Sequence, residues 1–535
     1  MDDLVPIQPF RCLGYLNGTY YYYSRGEQAV VSLTALGHQK NSFYRLAPHE
    51  HWVEHFPAGK DGEFLSDRIT ANLMATCQKA GIFNIERIRG RGVWMNGTKP
   101  VIHYGDRVTI GKKSYLPYLA PDKAVYELAD PLGIKPATPL SDEEGKQFSD
   151  LIKKLKWSTP DQFMWFSGWL SCAMIGGALY WRPHIWITGP AQSGKSTLNN
   201  IIKKILGQNC LYIQSVSTEA GIRQTLGADA IPVVMDEAER EDNYSHHRIQ
   251  SILTLARQAS CNSDSKIVKG SPTGKALNYM IRSPFCLSSI TAALLQTADK
   301  GRFSQLELSP KKLSGDEFKQ WQADMEALLT TKYINRFHNR IIKLLPVILH
   351  NAKVLTMAIE KKTGDRRIGD QYGALLSGHI AMQSSRMLTD ENAAVLIENI
   401  NFTLELQQAT ARLEHFKLID SIMQHVVKVP LSQGYDELTI GELCSIVRDK
   451  GTIEKDYITR LANYGIKVLG ESIYIANDNK NLEIVLKNTN WPTGWNNTLK
   501  LYPGATSSDK VVYFSPACKQ RATLLPINTV LASDE

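Results

Sequence analysis

His184-Ile-Trp-Ile-Thr188 is followed at once by Gly189-Pro-Ala-Gln-Ser-Gly194-Lys195-Ser196 and then by Thr197-Leu-Asn-Asn-Ile-Ile-Lys-Lys-Ile-Leu206. An apolar strand, a glycine-rich turn and an amphipathic helix stand in that order, and the turn fits GxxxxGK[ST] at every fixed position. The residue types follow from what a phosphate requires. Gly189 and Gly194 let backbone N–H groups turn inward, and the N-terminus of the following helix adds positive potential. Lys195 reaches the β- and γ-phosphates, and the Ser196 hydroxyl ligates Mg²⁺. The expected nucleotide cradle is therefore Gly189, Pro190, Ala191, Gln192, Ser193, Gly194, Lys195, Ser196 and Thr197.

Downstream, Ile231-Pro-Val-Val-Met-Asp236-Glu237 is an apolar strand that ends in two acids. Many strands end in carboxylates, but the pairing with the phosphate loop makes this one specific. Asp236 is expected to hold Mg²⁺ through water and Glu237 to polarise the attacking water, which implies hydrolysis rather than binding alone. Ser265 to Arg282 alternates on both sides of Ser271-Pro-Thr-Gly274, the pattern of a hairpin. Lys266, Lys269 and Lys275 stud it, with Arg282 at its end, so it is expected to grip a nucleic-acid backbone; the bland alternative is a solvated surface hairpin. The next strand, PFCLSSI, ends in Ser288-Ser289, and Ser289 is taken as the group that senses the γ-phosphate. Arg302 lies just before the strand SQLEL, placed to reach a neighbouring subunit's nucleotide. Further on, Arg367 is read as a second sensor acting in cis, against a structural pairing of Arg366 or Arg367 with Asp370.

Around this core the chain divides by composition. Residues 1–129 are β-rich, with Asn17-Gly18 and Asn96-Gly97 as hairpin turns and a helix over 65–83. The Tyr20–Tyr23 run is either a base-stacking platform or strand packing. The basic loop Arg87-Ile-Arg89-Gly-Arg91 is either a phosphate contact or solvated surface. Residues 130–140 carry three prolines and read as a linker. Residues 141–314 alternate helix and strand, starting at the capping box Ser141…Glu144. Residues 315–416 are helical. Residues 417–535 begin with three helices and a hairpin around Gly470-Glu471, the order of a winged helix-turn-helix, with Lys455 and Arg460 on or near its recognition helix.

Composition sets the outer limits. The 535 residues exceed one ordinary domain, and 43% hydrophobic with 21% charged residues excludes disorder as the dominant state. A net charge of +8 permits a nucleic-acid partner without requiring one. The eight cysteines form no CxxC pair and no secretory signal is visible, so reduced thiols in cytoplasm are expected. Phe163 to Trp181 is uncharged over 19 residues, but it holds three glycines and runs into the phosphate loop. A buried core helix starting at Thr159-Pro160 is expected, and no membrane partner.

Taken together, RIRGRGVW (87–94), WRPHIWITGP…GKST (181–197), STEAGIRQTLGADAIPVVMDEAE (217–239), ADKGRF (298–303), RIGDQYGALLSG (367–378), LTIGELC (438–444) and RATLLPI (521–527) give the chain a resemblance to a known family. It resembles phage- and prophage-encoded AAA+ helicases of the superfamily 3 type, the helicase half of toprim primase–helicase proteins. The resemblance implies an α/β P-loop AAA+ core and a hexameric homo-oligomeric ring that uses ATP and Mg²⁺ to translocate on single-stranded and forked DNA during replication. It implies that Lys195, Ser196, Asp236 and Glu237 carry ATP and Mg²⁺ and that Arg302 is the trans-acting finger. The chain departs from fused members in lacking a toprim or zinc-ribbon primase, so any primase is expected as a separate polypeptide. Two other readings stay open: an AAA+ loader or remodeller of another protein, and an origin-binding initiator whose ATPase drives assembly.

Overall fold

The computed structural model describes residues 8–59, 62–238, 243–261, 267–270, 276–294, 297–309, 313–403, 414–430, 434–450, 455–487, 489, 491–516 and 518–531. Contacts divide the chain into two units, Met1–Glu405 and Leu406–Glu535.

The first unit opens with an antiparallel sheet of β1 (Phe10–Leu16), β2 (Thr19–Ser24) and β3 (Ala29–Thr34). Asn17 (φ 47°) and Gly18 (φ 72°) both take positive φ, the two-residue turn that matches strand twist. The helix Ser66–Ala80 lays Ile69, Leu73 and Cys77 onto this sheet's core. Tyr20 and Tyr22 of β2 are buried there, and Tyr23 is buried in a second cluster with Leu13, Phe83 and Val125: Tyr22 OH bonds His38 Nε2 at 2.8 Å, and Tyr23 OH donates to Tyr126 O at 2.9 Å. The tyrosine run is packing, not a base-stacking platform.

The basic loop also turns inward. It starts at β4 (Ile88–Arg89) and leads into a four-stranded antiparallel meander, β5 (Gly92–Asn96), β6 (Lys99–His103), β7 (Val108–Ile110) and β8 (Lys113–Tyr115). The short strand β9 (Val125–Tyr126) then closes in parallel on β4. Arg91 Nη2 and Nε reach Asp229 Oδ2 at 2.6 and 2.9 Å, and the Arg91 amide donates to Oδ1 at 2.6 Å. Gly90 lies so close that a Cβ there would stand 2.4 Å from the Asp229 amide nitrogen. The RIRGRG segment is a clasp on the loop ahead of the acidic strand, which accounts for its arginine and its glycine.

The central sheet holds β10 (His184–Thr188), β11 (Leu211–Ile213), β12 (Val233–Met235), β15 (Phe285–Ser288) and β16 (Phe303–Glu307). All are parallel, in the order β11-β12-β15-β10-β16. Every residue of β10, β12 and β15 is buried, so these strands read as unbroken apolar runs, as they must when both sheet faces are covered. Between β12 and β15 the hairpin β13 (Ile267–Gly270) and β14 (Ala276–Tyr279) pairs Gly270 with Ala276.

The uncharged stretch forms a core helix, Gln162–Ala173, starting after Asp161 rather than at Thr159-Pro160. It crosses the helix Arg366–Gln383 at glycine contacts, where a Cβ on Gly168 would meet Leu375 O at 1.9 Å. Among the described residues no single helix is long and apolar enough to span a bilayer; one pair bent by 62°, Thr331–Lys343 with Leu345–Thr363, passes on length and composition. That pair is held by Arg336 on Glu144 and by Arg340 on Asp142. The proline-bearing segment 130–140 is not a loose tether. It buries Leu132, Ile134 and Leu140 and bonds to Tyr104, Asn209 and Arg336.

The second unit has helices Glu414–Met423, Ile440–Lys450 and Lys455–Asn463. Glu442 accepts from the Thr439 amide and hydroxyl at 2.7 and 2.9 Å, the capping pair its sequence calls for. The strands β17 (Val426–Pro430) and β18 (Tyr435–Thr439) pair just ahead of the second helix. The hairpin β19 (Ile466–Leu469) and β20 (Ser472–Ala476) turns at Gly470, φ 57°. Beyond the sequence expectation, β21 (Thr506–Ser507) and β24 (Ala522–Pro526) widen this sheet in the order β19-β20-β24-β21, and β22 (Val512–Ser515) pairs with β23 (Cys518–Gln520).

Candidate active site

The loop Gly189–Gly194 joins the C-terminal end of β10 to the helix Lys195–Leu206, which is anchored by Leu198, Ile201, Ile202, Ile205 and Leu206. Gly194, at φ 106°, is its N-cap, so no side chain caps the first turn and no acid sits in it. Those first-turn N–H groups face outward as anion donors. Gly189 takes φ 151° and Gln192 φ 62°, the second a conformation a side chain rarely adopts. Ser193 Oγ is buried without a hydrogen-bond partner. A loop with spare donors, local strain and an orphaned hydroxyl fits a phosphate group. Lys195 Nζ donates to Gly189 O at 2.5 Å and Pro190 O at 3.0 Å, folded back over the loop it would serve.

The acids lie two strands away in the same sheet, also at its C-terminal edge. Asp236 Oδ1 accepts from Ser288 Oγ at 2.6 Å and from the Glu237 amide at 3.0 Å. Ser288 Oγ in turn accepts from Asn199 Nδ2 at 2.9 Å. Asn199 is 2% exposed and stands one turn beyond Ser196, so helix, β15 and the acidic strand end are locked together. Glu237 is exposed and held at φ 55°, another strained backbone position at this site.

One assignment changes. The serine that faces the acids is Ser288, not Ser289. Along β15 successive side chains face opposite ways. Ser289 therefore accepts from Trp186 Nε1 at 2.7 Å and donates to Thr291 O at 2.7 Å, away from Asp236. Ser288→Ala is expected to lower turnover by about 10- to 100-fold, the usual cost of losing a positioning partner. Ser289→Ala is expected to spare turnover and to destabilise by about 1–3 kcal/mol, because Trp186 loses its acceptor. Phosphate release and thermal unfolding on both variants check this; the opposite pattern would restore Ser289.

A pocket of about 360 Å³ opens from the loop. Its far wall is Leu155, Lys156, Leu313 and Phe318, contributed by segments before and after the central sheet. The Phe318 ring stacks on Trp321 at 5.8 Å. An apolar, aromatic-walled space beside a phosphate loop suits a nucleobase. No sequence signal marked Leu155 or Phe318.

Arg302 sits at the opposite edge of the sheet. The strand it precedes pairs Phe303 with His184, the first residue of β10, whereas the loop follows the last. At a rise of ~3.3 Å per residue the ends of β10 are about 13 Å apart. Arg302 Nε donates to Ser260 Oγ at 3.2 Å. Near it Arg257 Nε approaches Asp299 Oδ1 at 3.1 Å, and Asp299 is fully buried. Burial, then the charges of Arg367 and Arg257, pulls the Arg302 pKa down, while burial pushes the Asp299 carboxyl up.

Arg367 belongs to this cluster. One turn along its helix, Gln371 Nε2 donates to His184 O and Ser304 Oγ, at the start of β10 and β16. That position removes Arg367 from its own chain's loop and corrects the cis-sensor expectation. Arg366 pairs with Glu360 and Asp370, a structural role. Lys266 and Lys275 lie outside the described residues, as does the side chain of Lys269, whose backbone is in β13.

No protein-family profile and no curated protein matches the sequence. Among solved structures the chain is similar to Cch, the active helicase of SCCmec type IV. That match has a TM-score of 0.50 at 12% identity and covers 96% of this chain and 91% of that one. Two apo structures of the NrS-1 C-terminal region match with TM-scores of 0.27 and 0.28 at 13% and 12% identity, covering 65% and 81% of this chain and 96% of each. At 12% identity the likeness to Cch is one of fold: a mixed α/β chain with a parallel sheet, arranged as in a helicase.

Proposed function

We propose that the chain is an ATP-dependent DNA helicase: a superfamily 3-type AAA+ motor that works as a ring on single-stranded DNA. The observation that carries this reading is the division of groups between the two edges of one parallel sheet. Lys195, Ser196, Asp236, Glu237 and Ser288 gather at the C-terminal edge. Arg302 lies at the other edge, where its own loop is out of reach.

In this reading the loop amides and Lys195 hold the β- and γ-phosphates, and Ser196 and Asp236 hold Mg²⁺. Bound Mg²⁺ would neutralise charge on the phosphate oxygens. Asp236 is oriented for this by the Ser288–Asn199 chain. Glu237 takes the proton of the attacking water, and a neighbouring subunit's Arg302 stabilises the charge that develops. A ring of identical head-to-tail contacts supplies that neighbour at every site. The strands β13 and β14 leave the sheet between the acidic strand and β15, so hairpin lysines 266, 269 and 275 would grip DNA at a point coupled to both. The helix order of the second unit suits a winged helix, with Arg460 on its recognition helix.

Phe318 and Leu155 take the base. Phe318→Ala is expected to raise the KM for ATP by on the order of tenfold, since a stacked base contributes about 1–3 kcal/mol. Hydrolysis of inorganic tripolyphosphate, which has no base, should be unchanged; an equal loss with both substrates would assign Phe318 a purely structural role.

The deciding experiment is ATP-dependent strand displacement on tailed duplexes of both polarities. Displacement on either tail supports the motor reading. ATP turnover that assembles the protein on DNA, without displacement on any fork, would point to an initiator or loader instead.

A further inference from the structure

The hairpin strand β14 ends at Tyr279, and three residues later Arg282 leads into β15. The Arg282 guanidinium stands over the Trp94 ring, 5.4 Å from its centroid. Arg89 approaches the same ring at 5.5 Å. Trp94 is 3% exposed and its Nε1 donates to Gly90 O at 2.9 Å, so the ring is a fixed platform rather than a stacking surface for ligands.

Arg89 pairs with Asp122 yet has a nitrogen to spare, and Arg282 has its donors open. Arg282 is half-buried and makes no hydrogen bond or ion pair among the described residues. Arg89 Nη1 is buried without a hydrogen bond, and Asp122 Oδ2 lies 3.6 Å from it. A guanidinium carries N–H donors in a planar fork, and burying one without acceptors costs free energy. Burial and the Arg89 charge both push the Arg282 pKa down, with Glu86 a partial counter-charge. The group that relieves all of this is an anion with several oxygens, which phosphate provides in the geometry a guanidinium fork prefers.

The place limits which phosphate. Phe285, three residues on, opens β15 opposite Val233, the first residue of β12. Arg282 is therefore at the N-terminal edge of the sheet, away from the chain's own nucleotide loop. It is also at the root of the hairpin. We propose that Arg282 and Arg89, braced on Trp94, bind a backbone phosphate of single-stranded DNA where the hairpin leaves the sheet. The inference rests on the reading of the chain as a DNA motor. It adds a contact outside the hairpin lysines, built on β4, β5 and the segment leading into β15 rather than on the hairpin.

The test is binding of the full chain to a fluorescein-labelled oligo-dT, read by anisotropy across a KCl series. Each phosphate contact on a single strand contributes about 0.7 to the slope of log affinity against log salt. Arg282→Gln is expected to lower the slope by about that much per engaged subunit and to weaken low-salt binding about tenfold. Lys79→Gln, which removes the same charge from an exposed helix position, is expected to change neither. Arg282→Lys should keep the slope and lose part of the affinity, because the charge stays and the fork goes. It and Arg89→Gln carry the test should Arg282→Gln fail to fold. A wild-type slope in folded Arg282→Gln overturns the proposal while leaving the motor reading intact. So does an equal slope change in Lys79→Gln, or a raised KM for ATP with DNA binding intact, which would give the phosphate to a nucleotide. A wild-type chain that binds no oligo-dT overturns the proposal and the motor reading together.

Discussion

Lys195→Ala will release phosphate from ATP at about one-thousandth of the wild-type rate or below. A single donor aimed at developing phosphate charge in a preorganised site is typically worth 10²- to 10³-fold. Lys195 is the side-chain cation that the loop end itself carries, at the uncapped end of a helix with no acid in its first turn, while Lys156 stands on the far wall of the pocket. The fold should survive. The lysine's two bonds, to Gly189 O and Pro190 O, are partly exposed, and their net worth is about 1–2 kcal/mol together. Glu237→Gln should separate binding from chemistry. Glu237 bonds Asp236 through its backbone amide, and its exposed side chain makes no hydrogen bond or ion pair among the described residues, so nucleotide should bind while turnover falls to a similar floor. Steady-state phosphate release, fluorescent-nucleotide binding and thermal unfolding on both variants decide the matter. Turnover within tenfold of wild type in a folded Lys195→Ala chain would remove the site.

How far the site could be read in advance depends on the kind of signal each part carries. The loop was legible because its chemistry demands special residues at fixed spacing, and Gly194 and Gly189 do take the positive φ that only glycine accepts freely. Hairpins at Asn17-Gly18 and Gly470, and the caps at Ser141 and Thr439, were legible for the same local reason. Ser288 was missed because β15 is buried on both faces. Its sequence has no period of two, so nothing told which of two adjacent serines faced the acids. Arg367 was misplaced because sequence gives no strand order. Only the crossing of its helix at His184 and Ser304 puts it with Arg302. The apolar wall of the pocket was invisible because Leu155 and Phe318 come from opposite ends of the core and are ordinary apolar residues until the pocket joins them. The arginine-rich loop and the tyrosine run were ambiguous, since a clasp on Asp229 and a buried sheet face use the same residue types as a nucleic-acid surface.

Arg302→Ala should also be nearly inactive, and it should be rescued by a partner that is itself dead. A trans-acting arginine on a transferring phosphoryl group is worth about 10³- to 10⁵-fold. Here Arg302 is separated from its own loop by the length of β10, so on the proposed reading its loss is felt at the neighbouring subunit's site. In a head-to-tail ring, a site needs Lys195 from one subunit and Arg302 from the next. Mixing Lys195→Ala with Arg302→Ala chains therefore creates some interfaces in which both groups are native, about a quarter of them at equal proportions with random assembly. Activity should rise from the floor of either variant to a clear fraction of wild type, peaking near equal mixing. Arg302→Lys should not substitute, because a point charge replaces a planar fork whose Nε is already engaged with Ser260. Asp299→Asn should act in the same direction but less, since it weakens the Arg257 pairing beside the finger rather than removing the finger. If subunits demonstrably exchange and every mixture stays at the floor, the two groups do not share a site across an interface. Arg302 would then be a structural arginine tied to Ser260, and full turnover in Arg302→Ala alone would show the same with one variant.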